Sequence, residues 1–177
     1  DLQKKQLAEN WQPTEILSLQ QDYMTAQLNS NRRSELIEVT QDLIAYHFCC
    51  AETLLADDCQ PESHLPAKKS WGKLFWRLNP AIKIQYFHFA LEDLEQVGGE
   101  SLEKMFRQLT VDPGYAIFLR QQGEVMIESL DEEFAQMLLR ATKKTATPQL
   151  LEGLDPQSAK EQMSFAITQG LLLPVTS

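Results

Sequence analysis

The histidines and cysteines of this chain are the side chains whose type and spacing could carry chemistry. His47 and Cys50 stand three residues apart in a predicted helix, and such a pair could ligate a metal ion or act as base and nucleophile. No third ligand follows at a readable spacing, and Cys49, Cys50 and Cys59 contain no C-x-x-C pair. We therefore predict reduced, half-buried thiols, a packed and hydrogen-bonded His47, and no metal bound by this chain.

The other candidates for chemistry have simpler structural explanations. His88 falls in a predicted strand and is expected in a core or an interface, whereas His64 is expected in solvent. The acid pair at 57–58 suits a loop, and the pair at 132–133 complements the positive end of a helix dipole. The sequence has no glycine-rich phosphate loop, G-x-S-x-G elbow or H-E-x-x-H motif. We predict a chain that is not an enzyme on its own; an enzyme using His47 and the cysteines is an alternative.

Net charge limits the class of partner. The chain has 25 acidic and 16 basic residues and a formal charge of -9. Its longest basic clusters are the pairs Lys68-Lys69 and Lys143-Lys144, so the basic footprint of a nucleic-acid binder is missing and a basic partner is favoured. No apolar run approaches the roughly 20 residues that span a bilayer, and we expect no secretory signal. We expect a cytoplasmic protein that binds neither nucleic acid nor membrane.

Apolar spacing predicts a helical N-terminal half. Residues 13–28 and 34–56 carry apolar side chains every three or four positions, which is typical of amphipathic helices. Residues 57–70 are polar, include two prolines and predict a loop. An aromatic-rich turn or short helix is expected over residues 71–78.

The following residues predict a small antiparallel sheet. Residues 81–89, 115–121 and 124–130 have the alternation of strands, and Gly123 supplies the positive φ that a tight hairpin turn needs. A brief helix is expected at 91–97 and an amphipathic turn at 102–109. Asp112-Pro113-Gly114 predicts a further turn that leads into the hairpin.

Three short helices should follow the hairpin. Asp131 is placed to cap the first, and Thr147-Pro148 and Asp155-Pro156 each combine a cap residue with a proline at the first helical position. The third helix should end at Gly170, before an apolar tail at 171–173. The predicted class is α+β, with a winged-helix or leader-peptide-recognition outline. We predict a helical region over 1–78 and a sheet-plus-three-helix domain over 79–177.

The order of these segments resembles one family. Ser70-Trp71, then Leu78-Asn79-Pro80 with Ile82 and Ile84, then the hairpin and three helices, is similar to the MbnC family of accessory subunits in methanobactin (copper-chelating peptide) biosynthesis. The likeness covers roughly residues 34–174 and consists of apolar and turn residues. It implies a heterodimer whose other, MbnB-like subunit holds iron and converts precursor cysteines to oxazolone and thioamide groups. This chain would bind the leader of an MbnA-like precursor, with no cofactor and no catalytic residue of its own.

Leader-binding modules of similar outline place the peptide beside the third strand and against the third helix. The exposed edge of a small sheet can accept such a peptide by strand addition. By this resemblance the groove would lie between Glu124–Glu128 and the helix around Lys160, Ser164 and Ile167, with Val125, Met126 and Ile127 within the strand. Glu124 and Glu128 suit a leader rich in lysine.

Aromatic residues supply the candidates for the oxidase interface. Phe87 and Phe89 lie on the second face of a predicted strand, where they need cover from a helix of this chain or from a partner. We assign them, with Trp76, to the interface and expect Trp71 in the core. The alternative function is a winged-helix transcriptional regulator, which would need a basic recognition helix. Residues 158–168 contain a single basic residue, Lys160, whose charge is balanced by the neighbouring Glu161.

Overall fold

The computed structural model describes residues 34–60, 65–96 and 107–175, and the predicted helix at 13–28 lies outside them. Within these residues the fold mixes helices with small antiparallel sheets. The helices are α1 (Ser34–Leu55), a 3-10 helix (Lys68–Lys73), α2 (Leu91–Gln96), α3 (Glu132–Arg140), α4 (Thr147–Leu150) and α5 (Pro156–Thr168). The strands are β1 (Phe75–Leu78), β2 (Lys83–Phe89), β3 (Val111–Gln121), β4 (Glu124–Leu130), β5 (Thr145–Ala146) and β6 (Leu172–Val175).

The predicted sheet is present, with strand order β2-β3-β4. β2 and β4 keep their predicted positions within two residues, whereas β3 begins at Val111 and includes residues 112–114. The predicted turn at these three residues is therefore wrong. Proline is tolerated near the first residue of a strand, where its missing N–H need not interrupt the ladder.

A second sheet, with order β5-β1-β6, was not predicted. Phe75–Leu78, predicted as a turn or short helix, is strand β1, and it pairs antiparallel with β6 from Phe75 opposite Val175 to Leu78 opposite Leu172. The predicted apolar tail is thus a strand of this sheet. These strands have two to four residues, which is too short for an alternating pattern to be recognised.

Two of the three predicted helix caps are confirmed. The Asp131 carboxylate accepts hydrogen bonds from the N–H groups of Glu133 and Phe134, at 2.9 and 3.3 Å. Asp155 caps α5 in the same way, at 3.0 Å to both amides. Thr147 is different, because the residue at the cap position of α4 is Ala146 and no side chain caps that helix.

The described residues fall into two compact units, one of residues 34–56, 87–96 and 107–113 and one of residues 57–60, 65–86 and 114–175. The predicted division at 78/79 stays a prediction. The core of the second unit is formed by side chains of the 3-10 helix, strands β1 and β6 and helices α3 to α5, and includes Trp76, Met137, Leu138, Leu150, Ile167 and Leu172. In the first unit, Val39, Leu43, Phe87, Phe89 and Leu94 are buried. No described helix combines the length and apolar character needed to cross a membrane.

Candidate functional site

Strand β4 forms one edge of the β2-β3-β4 sheet in the part of the chain that is described. It pairs antiparallel with β3, with Gln121 opposite Glu124 at the turn and Tyr115 opposite Leu130 at the far end. The turn residues Gln122 and Gly123 have φ values of 54° and 83°. Two positive φ values in a two-residue loop define a type I′ hairpin turn.

The register determines which main-chain groups of β4 point outward. The residues that flank a two-residue turn exchange both of their hydrogen bonds, and bonded and non-bonded pairs then alternate along the hairpin. Glu124, Met126 and Glu128 therefore direct their N–H and C=O groups to β3. Val125, Ile127 and Ser129 direct theirs away from it, to the edge. Three residues of β4 thus present a ladder to an added strand.

The side chains of β4 alternate in exposure. Val125 and Ile127 are half-buried, whereas Glu124, Met126 and Glu128 are exposed. Asp131, Glu132 and Glu133 follow directly and are exposed as well. The edge therefore has an apolar side that packs on the protein and an acidic side in solvent. The prediction that residues Glu124 to Glu128 lie on a strand is confirmed.

The tip of the hairpin is held by the segment that follows α1. Asp58 accepts a hydrogen bond from the Gly123 N–H at 3.2 Å, and its Oδ1 lies 3.2 Å from Nε of Arg120. The Cys59 N–H donates to the Arg120 carbonyl at 2.6 Å. These contacts fix the start of β4 before any ligand arrives, which lowers the entropic cost of binding.

The end of β2, the opposite edge strand, is covered differently. The Asp42 carboxylate is 3% exposed and accepts hydrogen bonds from the N–H groups of His88 and Phe89, at 2.6 and 3.1 Å. Its other oxygen lies 3.0 Å from His88 Nδ1. This acid–histidine pair was not predicted, because 46 positions separate the two residues in the chain. Asp42 thus satisfies two neighbouring main-chain amides where β2 ends.

The cysteines and His47 do not form a site together. Burial raises the pKa of the Cys50 and Cys59 thiols, and it raises the pKa of Tyr46 to about 12. Each group is therefore held in its neutral, weakly nucleophilic form. His47 is exposed, with its ring edge-on to Tyr46, so the prediction of a packed His47 is wrong. The described residues contain no group of three histidine, cysteine or acidic side chains able to hold a metal ion.

The three residues predicted on α5 have two different environments. Ile167 is fully buried in the core of the second unit, so its assignment to a peptide groove is wrong. Lys160 and Ser164 line a pocket of about 490 Å³ with residues of the 3-10 helix and α4, and β4 is not among its walls. Ile167 continues the buried stripe of Ala159 and Met163, whereas Lys160 and Ser164 lie beside that stripe.

The three predicted interface aromatics are covered by this chain itself. Trp76, Phe87 and Phe89 are 0%, 2% and 3% exposed, so none is a surface anchor. Trp76 stacks edge-on against Trp71 at 6.1 Å between ring centroids, and Phe87 lies 6.4 Å from Tyr46. Residue type indicated an apolar contact but could not show which part of the chain provides it.

An exposed aromatic residue on α5 was not predicted as a surface group. Phe165 is 53% exposed and lies off the buried stripe of its helix, against Phe134 of α3 at 5.9 Å. Its position on the polar side of the helical pattern was the signal available in the sequence.

Neither the scan against protein-family models nor the search of curated proteins finds a match to this chain.

Proposed function

We propose that this protein is a peptide-recognition subunit that binds an extended, basic leader segment by strand addition along β4. The observation that carries the proposal is the edge position of β4, with Val125, Ile127 and Ser129 directing their main-chain groups outward. Strand addition uses such groups for affinity and alternating side-chain contacts for specificity. The winged-helix outline of the strands and of α3 to α5 belongs to the same proposal.

The acidic side of β4 indicates which peptide would be selected. Glu124, Met126 and Glu128 are all exposed and share one face of the strand. A peptide strand paired with β4 would place its residues i, i+2 and i+4 beside them. Lysine, an apolar residue and lysine at these positions would complement the face. Each exposed charge pair contributes roughly 0.2–1 kcal/mol, so the charges favour one sequence over another while the ladder supplies most of the affinity.

The wider role follows from the resemblance described above. We propose that the peptide is the leader of a precursor whose cysteines are oxidised by an iron-containing partner subunit, as in methanobactin biosynthesis. In this role the present chain is non-catalytic: it captures the leader and supports the iron subunit. The raised thiol pKa values of Cys50 and Cys59 agree with this role, because weakly nucleophilic cysteines are poor candidates for covalent catalysis.

The peptide part of the proposal is tested with a synthetic extended peptide that contains Lys-x-Leu-x-Lys. Its affinity for the full chain is measured by fluorescence anisotropy at low and high salt. Glu124→Lys with Glu128→Lys should weaken binding about tenfold at low salt, since two attractions become repulsions. The loss should shrink at high salt, where exposed charges are screened.

A matched control has the same change in net charge elsewhere. Glu152→Lys with Glu161→Lys alters two exposed side chains outside β4 and should weaken binding much less than the β4 pair, because it reduces only the long-range attraction. Equal losses in the two double variants would mean that the peptide responds only to overall charge, and the β4 assignment would then be abandoned. Salt-sensitive binding of duplex DNA without peptide binding would favour the transcriptional regulator instead.

The partner part of the proposal has a separate test. An iron oxidase of the methanobactin type, co-expressed with this chain and a precursor peptide, should co-purify with it at micromolar concentration. Separate migration of the two proteins while the peptide still binds β4 would remove the oxidase partner and leave peptide recognition standing.

A further inference from the structure

A pocket in the second compact unit takes no part in the peptide site proposed above. It has a volume of about 490 Å³ and lies between the 3-10 helix, α4 and α5. Its walls are largely apolar and include Trp71, Leu151, Leu154 and Met163. Small-molecule sites typically occupy roughly 300–1,000 Å³ and combine apolar walls with a few polar groups that orient the ligand.

The charges at this pocket have one sign. Lys68 and Lys160 are the charged residues among the described side chains that line it. Lys68 Nζ lies 5.7 Å from the centroid of the Trp71 ring, so a cation–π contact holds this ammonium group at the wall. In a chain with a net charge of -9, two lysines beside an apolar cavity create a local site for an anion.

Two other polar groups of the pocket, the Trp71 indole N–H and the Thr147 hydroxyl, are already engaged. The Trp71 indole N–H donates to the Pro66 carbonyl at 2.8 Å, and the Thr147 hydroxyl accepts from Trp76 at 2.9 Å and donates to the Trp71 carbonyl. In the first turn of α5, the N–H groups of Gln157 and Ser158 donate to the carboxylate of the cap residue, Asp155. An anion in the pocket would therefore be held by the lysines and not by the end of the helix.

We infer that this pocket binds a small amphiphilic carboxylate. The apolar body, a medium-length acyl chain or a fused aromatic ring, lies against Trp71 and Met163. The carboxylate accepts charge-assisted hydrogen bonds from Lys68 and Lys160. This inference does not depend on the proposed function of β4, because it uses none of that strand's residues.

Decanoate and naphthalene-2-carboxylate are suitable probes, titrated into the full chain with calorimetry and tryptophan fluorescence as readouts. Decanol is the matched neutral ligand. Hydrophobic association alone would favour decanol over decanoate, so the two lysines predict the reverse order, with decanoate binding about tenfold more tightly. Equal or tighter binding of decanol would overturn the inference, as would the absence of saturable binding of both carboxylates up to about 1 mM.

Two variants of the pocket, each with a matched control variant outside it, locate the site. Lys68→Gln with Lys160→Gln should weaken decanoate about tenfold and leave decanol unchanged, while Lys143→Gln with Lys144→Gln makes the same charge change outside the pocket and should have no effect. Gly72→Phe should abolish binding of both ligands, because Gly72 lines the pocket and an added Cβ there meets no atom within 4 Å. Gly114→Phe is its control, since that position is equally open and is not in the pocket walls. Wild-type decanoate affinity in the pocket lysine variant would refute the site even if Gly72→Phe failed to fold.

Discussion

Proline substitution can separate the outer edge of β4 from the ladder that holds it to β3. The N–H of Ser129 points away from β3, and its side chain is exposed. Ser129→Pro therefore removes an edge donor without breaking a hairpin hydrogen bond. The N–H of the neighbouring Glu128 points to Ile117, so Glu128→Pro removes a bond of the ladder itself.

The expected magnitudes differ between the two variants. Ile117 is 3% exposed, so Glu128→Pro leaves its carbonyl buried without a donor, at a cost of about 1–3 kcal/mol in the free energy of unfolding. Ser129→Pro should change that free energy by about 0.5 kcal/mol or less, because proline is accepted where the N–H faces solvent. Peptide affinity should fall about tenfold or more in Ser129→Pro, since one main-chain bond worth about 0.5–1.5 kcal/mol is lost and the proline ring obstructs the incoming strand.

The assay pairs urea denaturation, which gives the free energy of unfolding, with anisotropy of the labelled peptide. Ile127→Pro provides a second outward position, at the middle of β4, although it also loses a half-buried side chain. Wild-type peptide affinity in folded Ser129→Pro and folded Ile127→Pro would refute strand addition at β4. Strong destabilisation by Ser129→Pro would show instead that the alternation of hydrogen bonds was assigned with the wrong phase.

Three further predictions concern the fold. Asp131→Ala should lower the free energy of unfolding by about 1 kcal/mol in urea denaturation, because two amides of α3 lose their cap; no change would remove the cap's energetic role. Thr147→Val should lower it by about 1–3 kcal/mol, since the buried Trp76 indole N–H loses its acceptor, and a neutral result would contradict this role. Burial raises the pKa of Cys59 and so reduces its thiolate fraction at any given pH, and a thiol reagent at pH 8 should label it only as the chain unfolds. Cys59→Ser identifies that slow phase, and labelling of Cys59 at the rate of a free thiol would contradict the prediction.

The longer elements could be predicted because their patterns are local. α1, β2, β4 and α5 each contain enough residues for a helical or alternating period to appear, and Asp131 and Asp155 lie where a cap must lie. β1 and β6 could not be recognised in this way. Each has four residues, and its partner strands are distant in the chain. Such pairing is decided by tertiary packing, on which local propensity has little influence.

The candidate site was predictable to the same extent. The alternation of β4 was visible, and so was its acidic face, because both depend on neighbouring residues. The environment of a helix residue depends on what packs against it. The resemblance assigned Ile167 and Lys160 to one groove, whereas the first lies in the core and the second lines a pocket. The Asp42–His88 pair was hidden for the same reason, since only the folded chain brings the two residues together.

The two proposed sites differ in the sign of the charge that they select. β4 presents Glu124 and Glu128, and the pocket presents Lys68 and Lys160. The net charge of -9 attracts a basic peptide at long range but opposes an anionic ligand. Added salt should therefore weaken peptide binding through both its local and its global attraction. For the carboxylate it screens the local attraction and the global repulsion together, so its affinity should depend less on salt. This contrast follows from the distribution of charge and not from its total, and a single salt titration of the two ligands can measure it.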